Sequence, residues 1–318
     1  MNVPSLPRFP LVLGAVALIL LLAAPFYTTS FNLTLAMKAM AFAGTSLAFN
    51  LLFGYTGLLS LGHAMFFGGG AYVTAYMVKR MGVQSLEILL PMSGIGAMIL
   101  AALVGAVAVR YTKIHFLIIT LGFSQMLYGL VLKFYTFTGG TDGLGPVSGL
   151  RFFGLPISLR DYSLYYFAIG VFLLITFLLW VIVRSHFGKA LQAIKENTTR
   201  ATYVGIPQIR YKYYAFVISG FFSGLAGTIW AIATVHVAPD SLYWILSADI
   251  IFITLLGGYA WFIGPILGSF IFVYLQNTFM SLTGYWMLPL GAIFIAILIF
   301  ARGGVAMLVY KYILRARR

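Results

Sequence analysis

The chain has 318 residues, of which 62% are hydrophobic and 8% are charged. An ordinary globular domain is about 45–50% apolar and about 25% charged, so this composition excludes a soluble protein. Twenty lysines and arginines against six acidic residues give a net charge of +14. Too few polar residues remain to cover a water-exposed surface, so we expect this charge at membrane edges and no nucleic-acid partner. The chain has no cysteine, which excludes disulfides and thiolate metal sites.

Ten apolar runs approach the length of about 20 residues that a helix needs to cross a bilayer. We therefore predict an all-α integral membrane protein, a single-domain polytopic bundle of roughly eight to ten transmembrane helices over residues 1–318. The first run resembles a signal peptide without a clear cleavage site, so we expect a retained span. The eighth and ninth are the weakest, because their glycines and proline could make them re-entrant. The runs are approximately 11–28, 33–53, 58–78, 86–109, 114–135, 162–183, 213–235, 243–257, 260–281 and 285–307.

Basic residues predict the orientation, because short loops rich in Lys and Arg stay in the cytoplasm. Two segments carry most of this bias, the 184–212 loop and the C-terminal tail from residue 302 onward. Four predicted spans separate them, so both can lie inside, and counting back places the N terminus inside as well. The same count makes the 136–161 loop external. It also puts Lys79 and Arg80 outside, which leaves open whether the third run crosses the membrane.

The sequence carries no pattern typical of an enzyme active site or a metal centre. Its six acidic residues stand apart and its four histidines fall in different segments, so neither a carboxylate pair nor a ligand cluster is indicated. No Gly-x-x-x-x-Gly-Lys-Ser/Thr nucleotide-binding motif occurs. We therefore predict a chain that is not an enzyme, with no catalytic residue, no metal site and no bound cofactor. If the chain moves a solute uphill with ATP, partner subunits must bind the ATP and Mg²⁺.

Two ionisable residues lie within apolar runs, where a charge costs at least about 2.5–3.5 kcal/mol. His63 could line a path or relay a proton, but we favour a neutral ring hydrogen-bonded between helices. Asp249 could equally be a gate or a structural acceptor near a helix end. Proton transfer through either residue would make the chain a secondary transporter or channel, which is the alternative from another functional class.

Small residues predict a tightly packed face on the seventh run. Gly220 and Gly224 are four residues apart, as are Ser223 and Gly227, so the two pairs form adjoining strips of one helix face. Small residues let the backbones of membrane helices approach closely. We expect this face to pack against another helix.

Glycines also predict interrupted helices. The segment from Gly54 to Gly62 suggests an unwound stretch at membrane depth, which is tolerated only where it is buried or lines a cavity. Leu255 to Tyr259 repeats the Leu-Leu-x-Gly-Tyr pattern of Leu51 to Tyr55. Such paired breaks indicate an internal repeat with the translocation path between them. The residues assigned to that path are Gly54, Gly57, Ser60, Gly62, His63, Asp249, Gly257 and Gly258.

The predicted cytoplasmic loop contains one or two short amphipathic helices between Gly188 and Gly205. Leu191, Ile194 and Ala201 lie on one side, while lysines and other polar residues, Lys195 among them, occupy the opposite side. Such a helix could lie on anionic lipid, which attracts each basic residue by about 1 kcal/mol. Its small apolar face lacks Trp and Phe, so we favour docking into a groove on a partner protein.

Four stretches resemble the permease family of branched-chain amino-acid ABC importers, in its LivM-type branch. Phe53 to Tyr72 is similar to the family's G-x-x-G-x-x-S-L-G-H-A region. Thr120 to Phe123 and Thr138 to Leu144 resemble its T-L-G-F and T-G-G-x-D-G-L motifs. Gly188 to Ile206 resembles its cytoplasmic coupling segment, and Leu255 to Gly268 resembles its L-L-G-G and G-P block.

The resemblance implies the fold of a type II ABC importer permease in the bacterial inner membrane, with both termini in the cytoplasm. It also implies a second, LivH-like permease subunit, two cytoplasmic ATP-binding subunits and a soluble or lipid-anchored substrate-binding protein. The substrates would be leucine, isoleucine and valine, although permeases for urea or short amides look alike at this level. The sequence departs from the family at Asp249, where Glu is expected, and at Thr198 and Thr199. The residues implied for ATPase coupling are Gly188, Leu191, Ala193, Ile194, Glu196, Asn197, Ala201, Gly205 and Ile206.

Overall fold

The computed structural model describes residues 19–158, 162–300 and 303–307. Helices dominate these residues, and their sheet structure is one antiparallel hairpin of β1 (Arg151–Phe152) and β2 (Leu155–Pro156), so the predicted all-α class is confirmed. The longer helices are α1 Ser30–Thr56, α2 His63–Met81, α3 Leu86–Ala108, α4 Lys113–Lys133, α5 Ser163–Arg184, α6 His186–Glu196, α7 Thr198–Tyr203, α8 Gln208–Thr234, α9 Trp244–Gly257, α10 Gly264–Leu282 and α11 Met287–Phe300.

Six helices of the described residues are long and apolar enough to cross a membrane, namely α1, α3, α4, α5, α8 and α10. Helix α2 has 19 residues and starts at His63, after the glycine segment, whereas the sequence placed its start near residue 58. Helices α9 and α11 are apolar but have only 14 residues each, about 21 Å of helix. Residues 11–18 of the predicted first span lie outside the described residues, and the described remainder is helical before the 3-10 turn Ala24–Phe26.

Helices α1 and α8, of 27 residues each, form the centre of the bundle. They run antiparallel, since Ala48 contacts Ser219 while the earlier Gly44 faces the later Ala226. Helix α8 packs against α2 and α3, and α1 packs against α9 and α10. Helix α8 thus packs on the two helices that follow α1 in sequence, and α1 packs on the two helices that follow α8. By this exchange α1 corresponds to α8, whereas the five-residue sequence repeat would make α1 correspond to α9.

The small-residue face of α8 packs against two helices, as the sequence predicted. A Cβ atom at Gly224 would lie 2.5 Å from the Cβ of Ala97 on α3, and one at Gly227 would lie 2.2 Å from the carbonyl oxygen of Phe67 on α2. Both distances are far below a normal van der Waals contact, so only glycine allows these approaches. A chain of hydroxyls through Thr74, Thr228 and Ser93 joins the same three helices.

The two ends of the bundle differ in character, and we term them the α6 end and the hairpin end. At the hairpin end, Nη2 of Arg80 donates to the carbonyl oxygen of Thr136 at 2.8 Å, and the backbones of Leu144 and Val237 pair. The continuous helix α2 therefore runs from the interior to the hairpin end. This places Lys79 and Arg80 beside the 136–161 loop, in agreement with the predicted side.

Helix α9 begins inside the bundle, which explains its short length. The 3-10 turn Pro239–Leu242 precedes it and contacts two neighbouring helices inside the bundle. The hydroxyl of Ser124, halfway along α4, donates to the carbonyl oxygen of Leu242 at 3.2 Å. A Cβ atom at Gly68 on α2 would lie 2.5 Å from the carbonyl oxygen of Ser241. The predicted eighth span is therefore a turn followed by a partial helix that ends at the α6 end.

Candidate functional site

The predicted coupling segment folds as two helices, α6 and α7, joined at Asn197. The side chain of Asn197 caps α7 by accepting a hydrogen bond from the backbone N–H of Arg200 at 2.9 Å. At the start of the segment, a Cβ atom on Gly188 would lie 2.1 Å from the carbonyl oxygen of Val183, so the tight corner after α5 requires glycine. The segment ends at Gly205, whose φ of +89° is in the left-handed region.

The apolar face of this segment is buried within the chain itself. Leu191, Ile194 and Ala201 are all buried, and α6 packs against α1, α5 and α8. The side chains therefore offer no surface to another protein, which corrects the expectation that they contact ATP-binding subunits. Ile206 has a similar internal role, because its N–H donates to the carbonyl oxygen of Ala201 and closes the end of α7. Ala193 is half-buried beside this face.

The exposed side of the segment carries an apolar pair that the sequence analysis did not single out. Tyr203 is 86% exposed and Val204 is 77% exposed, at the end of α7. Glu196 and Asn197 are exposed on the same segment. An exposed tyrosine beside polar residues is typical of an anchor for a partner protein. The available signal was its position two residues before the helix stop at Gly205.

Lys195 is exposed, as the amphipathic pattern predicted, but its ammonium group reaches back to the bundle. Its Nζ donates to the carbonyl oxygen of Gly54 at 2.7 Å and lies 5.2 Å from the centre of the Tyr259 ring. Burial lowers the pKa of the Lys195 ammonium below its usual value. Lys195 thus joins α6 to the ends of two other helices.

The two Leu-Leu-x-Gly-Tyr segments meet at the α6 end. The rings of Phe53 and Tyr259 lie 5.0 Å apart, and a Cβ atom on Gly54 would lie 2.8 Å from the carbonyl oxygen of Tyr259. Gly57 and Gly258 end α1 and α9 with φ values of +75° and +104°. Gly257 packs directly on the backbone of α10. Four of the glycines assigned to the path therefore lie at this junction, where they allow main-chain contacts.

His63, Ser60 and Gly62 lie deeper, at the buried start of α2. The hydroxyl of Ser219 on α8 donates to the carbonyl oxygen of Ala48 at 2.6 Å and lies 2.8 Å from Nε2 of His63. Because that hydroxyl has a single proton, Nε2 must be the donor to it, and the ring links α1, α2 and α8. This is the interhelical hydrogen bond that we favoured for His63.

Asp249 lies apart from this cluster. It is half-buried on α9, eight residues before the end of the helix, or about 12 Å along its axis. Its carboxylate forms no hydrogen bond with another residue in the described ranges. Its role on a translocation path remains a prediction.

A group of neutral polar residues in the centre of the bundle was missed by the sequence analysis. Asn50 on α1 is 1% exposed, and neither end of its side-chain amide has a hydrogen-bond partner in the described part of the chain. The buried hydroxyls of Thr45, Ser46 and Ser223 also lack a hydrogen-bond partner in this part of the chain. Unpaired polar groups at this depth favour water or a polar solute over lipid. An asparagine within an apolar run was the available signal. Across the described residues, no group of three or more His, Asp or Glu side chains could hold a metal ion.

A bundle of apolar helices, packed through small residues and interrupted at buried polar positions, defines a polytopic membrane protein. The chain belongs to the family described as "Branched-chain amino acid transport system / permease component", which it matches over residues 31–301.

The chain is 28% identical to the high-affinity branched-chain amino acid transport system permease protein LivM of Escherichia coli (strain K12), over 90% of this chain and 72% of that protein. It is 27% identical, over the same shares, to the LivM protein of Salmonella typhimurium. It is also 25% identical to the autoinducer 2 import system permease protein LsrC of Escherichia coli, over 66% of this chain and 63% of that protein. No solved structure matches the chain.

Proposed function

We propose that this chain is a permease subunit of an ABC importer that carries leucine, isoleucine and valine into the cytoplasm. ATP hydrolysis in two separate ATP-binding subunits drives the transport, and a second, related permease completes the path. A soluble or lipid-anchored binding protein delivers the amino acid from outside. The family membership over residues 31–301 is the observation that carries this proposal.

The α6–α7 segment provides the surface for the ATP-binding subunits. Its apolar side chains fix it to α1, α5 and α8, while Tyr203, Val204, Glu196 and Asn197 stay exposed. A partner that closes on ATP pushes this surface, and the fixed attachment transmits the displacement to the helices of the bundle. The residues implied by the family thus divide into those that hold the segment and those that contact the partner.

The hydrophobic amino acids are the substrates that the relatives best support. The LivM proteins match 90% of this chain, whereas LsrC, named for autoinducer 2, matches 66% of it. The buried amide of Asn50 can both accept from an ammonium and donate to a carboxylate, which suits a zwitterion. Competition of urea and short amides with labelled leucine separates this proposal from the related amide permeases.

The test is uptake of labelled leucine into proteoliposomes that hold this chain with its permease, ATP-binding and substrate-binding partners. We expect uptake to require ATP inside the vesicles and to continue in the presence of a protonophore. The purified chain alone should hydrolyse no ATP. Uptake that a protonophore abolishes and that ignores ATP would instead establish a proton-coupled transporter.

A further inference from the structure

We propose that Lys195 is the residue that transmits displacement of the α6–α7 segment to the interrupted helices, by holding the ends of α1 and α9 together with its ammonium group. This inference rests on the proposed function, since it requires a partner that moves the segment. The residues that carry it are Lys195, Gly54 and Tyr259.

The Lys195 ammonium donates to a main-chain carbonyl oxygen at the end of α1, and the amide that would normally bond to this oxygen donates elsewhere. Gly54 lies in the last turn of α1, where carbonyl oxygens lack the usual hydrogen bond from the amide four residues further on. For Gly54 that amide belongs to Leu58, which donates instead to the carbonyl oxygen of Leu52. The Lys195 ammonium satisfies the Gly54 carbonyl at 2.7 Å and lies at the negative end of the helix dipole. This bond is therefore electrostatically favourable and specific in position.

The same ammonium contacts the second interrupted helix. Tyr259 lies two residues after the end of α9, and its ring centre lies 5.2 Å from Nζ of Lys195, within the range of a cation–π interaction. The ring also packs on Phe53 of α1 at 5.0 Å. One cation thus contacts the last turn of α1 and a residue just beyond the end of α9, and these are the two helices that precede the glycine breaks.

Gly54 and Gly57 make this close packing possible, and they leave the Lys195 side chain little space in which to move. The Cγ atom of Lys195 lies 3.3 Å from the position that a Cβ atom on Gly57 would occupy, so a larger residue there would push the lysine stem away. A Cβ atom on Gly54 would meet the carbonyl oxygen of Tyr259 at 2.8 Å. A displacement of α6 therefore moves Lys195 against both helix ends at once.

The experiment measures leucine uptake and ATP hydrolysis in the same reconstituted complex. Lys195→Met keeps the apolar stem and removes the ammonium, so we expect leucine transported per ATP hydrolysed to fall about tenfold, as for loss of a charge-assisted hydrogen bond. ATP hydrolysis per complex should change by less than about twofold, because the partner surface at Tyr203 is intact. Lys195→Arg should restore most of the coupling. Lys189→Met, which removes an exposed cation from the same helix, should match the wild type.

Tyr259 variants supply a second test that leaves the sequence of α6 unchanged. Tyr259→Phe keeps the ring and should leave coupling unchanged, whereas Tyr259→Leu should lower it in the same direction as Lys195→Met. Coupling in the double variant Lys195→Met/Tyr259→Leu should be no lower than in Lys195→Met alone, because both changes remove the same interaction. If the Lys195→Met complex does not assemble, the Tyr259 variants still test the inference.

The inference is overturned by Lys195→Met or Tyr259→Leu complexes that transport leucine at the wild-type ratio to ATP. It is also overturned by equal losses of uptake and hydrolysis in both variants, which would show a purely structural role. Failure of the proposed function has a different signature, namely wild-type uptake that is independent of ATP.

Discussion

The small-residue face of α8 and the apolar face of α6 both recur at helical spacing in the sequence, but they are packed in different ways. On α8, Gly224 and Gly227 bring main chains into contact with α3 and α2. On α6, Leu191 and Ile194 bury side chains against the chain's own bundle, although the pattern favoured a partner protein. A periodic apolar face thus shows that a surface is covered, and it does not say by what.

The largest expected effect tests the main-chain contacts of α8. Gly224→Val places new atoms where a Cβ alone would lie 2.5 Å from Ala97, so α3 must move. We expect a loss of about 3 kcal/mol in the free energy of unfolding, seen as a lower thermal midpoint of the purified chain in detergent. Gly122→Val is the control, because a Cβ there meets no atom within 4 Å. Equal midpoints for both variants would contradict the packing.

A smaller effect is expected where α6 is held by side chains. Leu191→Asp removes a buried leucine and introduces a carboxylate, which should weaken the attachment of the segment by about 2.5 kcal/mol. Limited trypsin digestion of the purified chain should then cut faster at Lys189, Lys195 and Arg200. Thr199→Asp adds the same charge at an exposed position and should leave the digestion rate unchanged. A Leu191→Asp chain as resistant as the wild type would show that the segment is held elsewhere.

The exposed end of α7 should affect assembly without affecting the chain itself. Tyr203→Ala should weaken binding of the ATP-binding subunits about 30-fold, the loss of a hot spot worth about 2 kcal/mol. The thermal midpoint of the isolated chain should not change, because the side chain is 86% exposed. Binding is measured by titrating ATP-binding subunits onto the chain in nanodiscs, with Thr199→Ala as the matched control. Unchanged affinity would move the contact surface away from this residue.

The smallest effect concerns the buried hydroxyl beside His63. Ser219→Ala removes the acceptor of the His63 ring proton and the donor to the carbonyl oxygen of Ala48. We expect the free energy of unfolding to fall by about 1–2 kcal/mol, measured by thermal unfolding in detergent. Ser281→Ala, at an exposed position on α10, should cost almost nothing. Equal values for the two variants would mean that water replaces the lost hydroxyl at no cost.

Composition and periodicity predicted most of the fold. Runs of about 20 apolar residues identify helices because backbone groups must be satisfied internally in lipid, and the glycine pairs of α8 predicted its close neighbours. The depth to which each segment enters the bundle was not predictable from the sequence. The turn Pro239–Leu242 enters the bundle through contacts with Ser124 and Gly68, which lie far away in sequence.

The candidate site was predictable in part, as a segment and a pair of glycine-rich breaks. Gly188 and Gly205 lie where close approach and a positive φ require glycine. The direction of Lys195 was not predictable, because its partner is a backbone carbonyl 141 residues earlier in the chain. Asn50 was missed because a neutral amide gives no charge signal.

The main-chain contacts along α8 also determine how stiffness is distributed. Where two backbones touch, the spacing between helices cannot relax by a change of rotamer, so α2, α3 and α8 behave as one solid block. A displacement that Lys195 passes on from the α6 end is therefore expected to tilt this block as a unit, without changing its internal spacing.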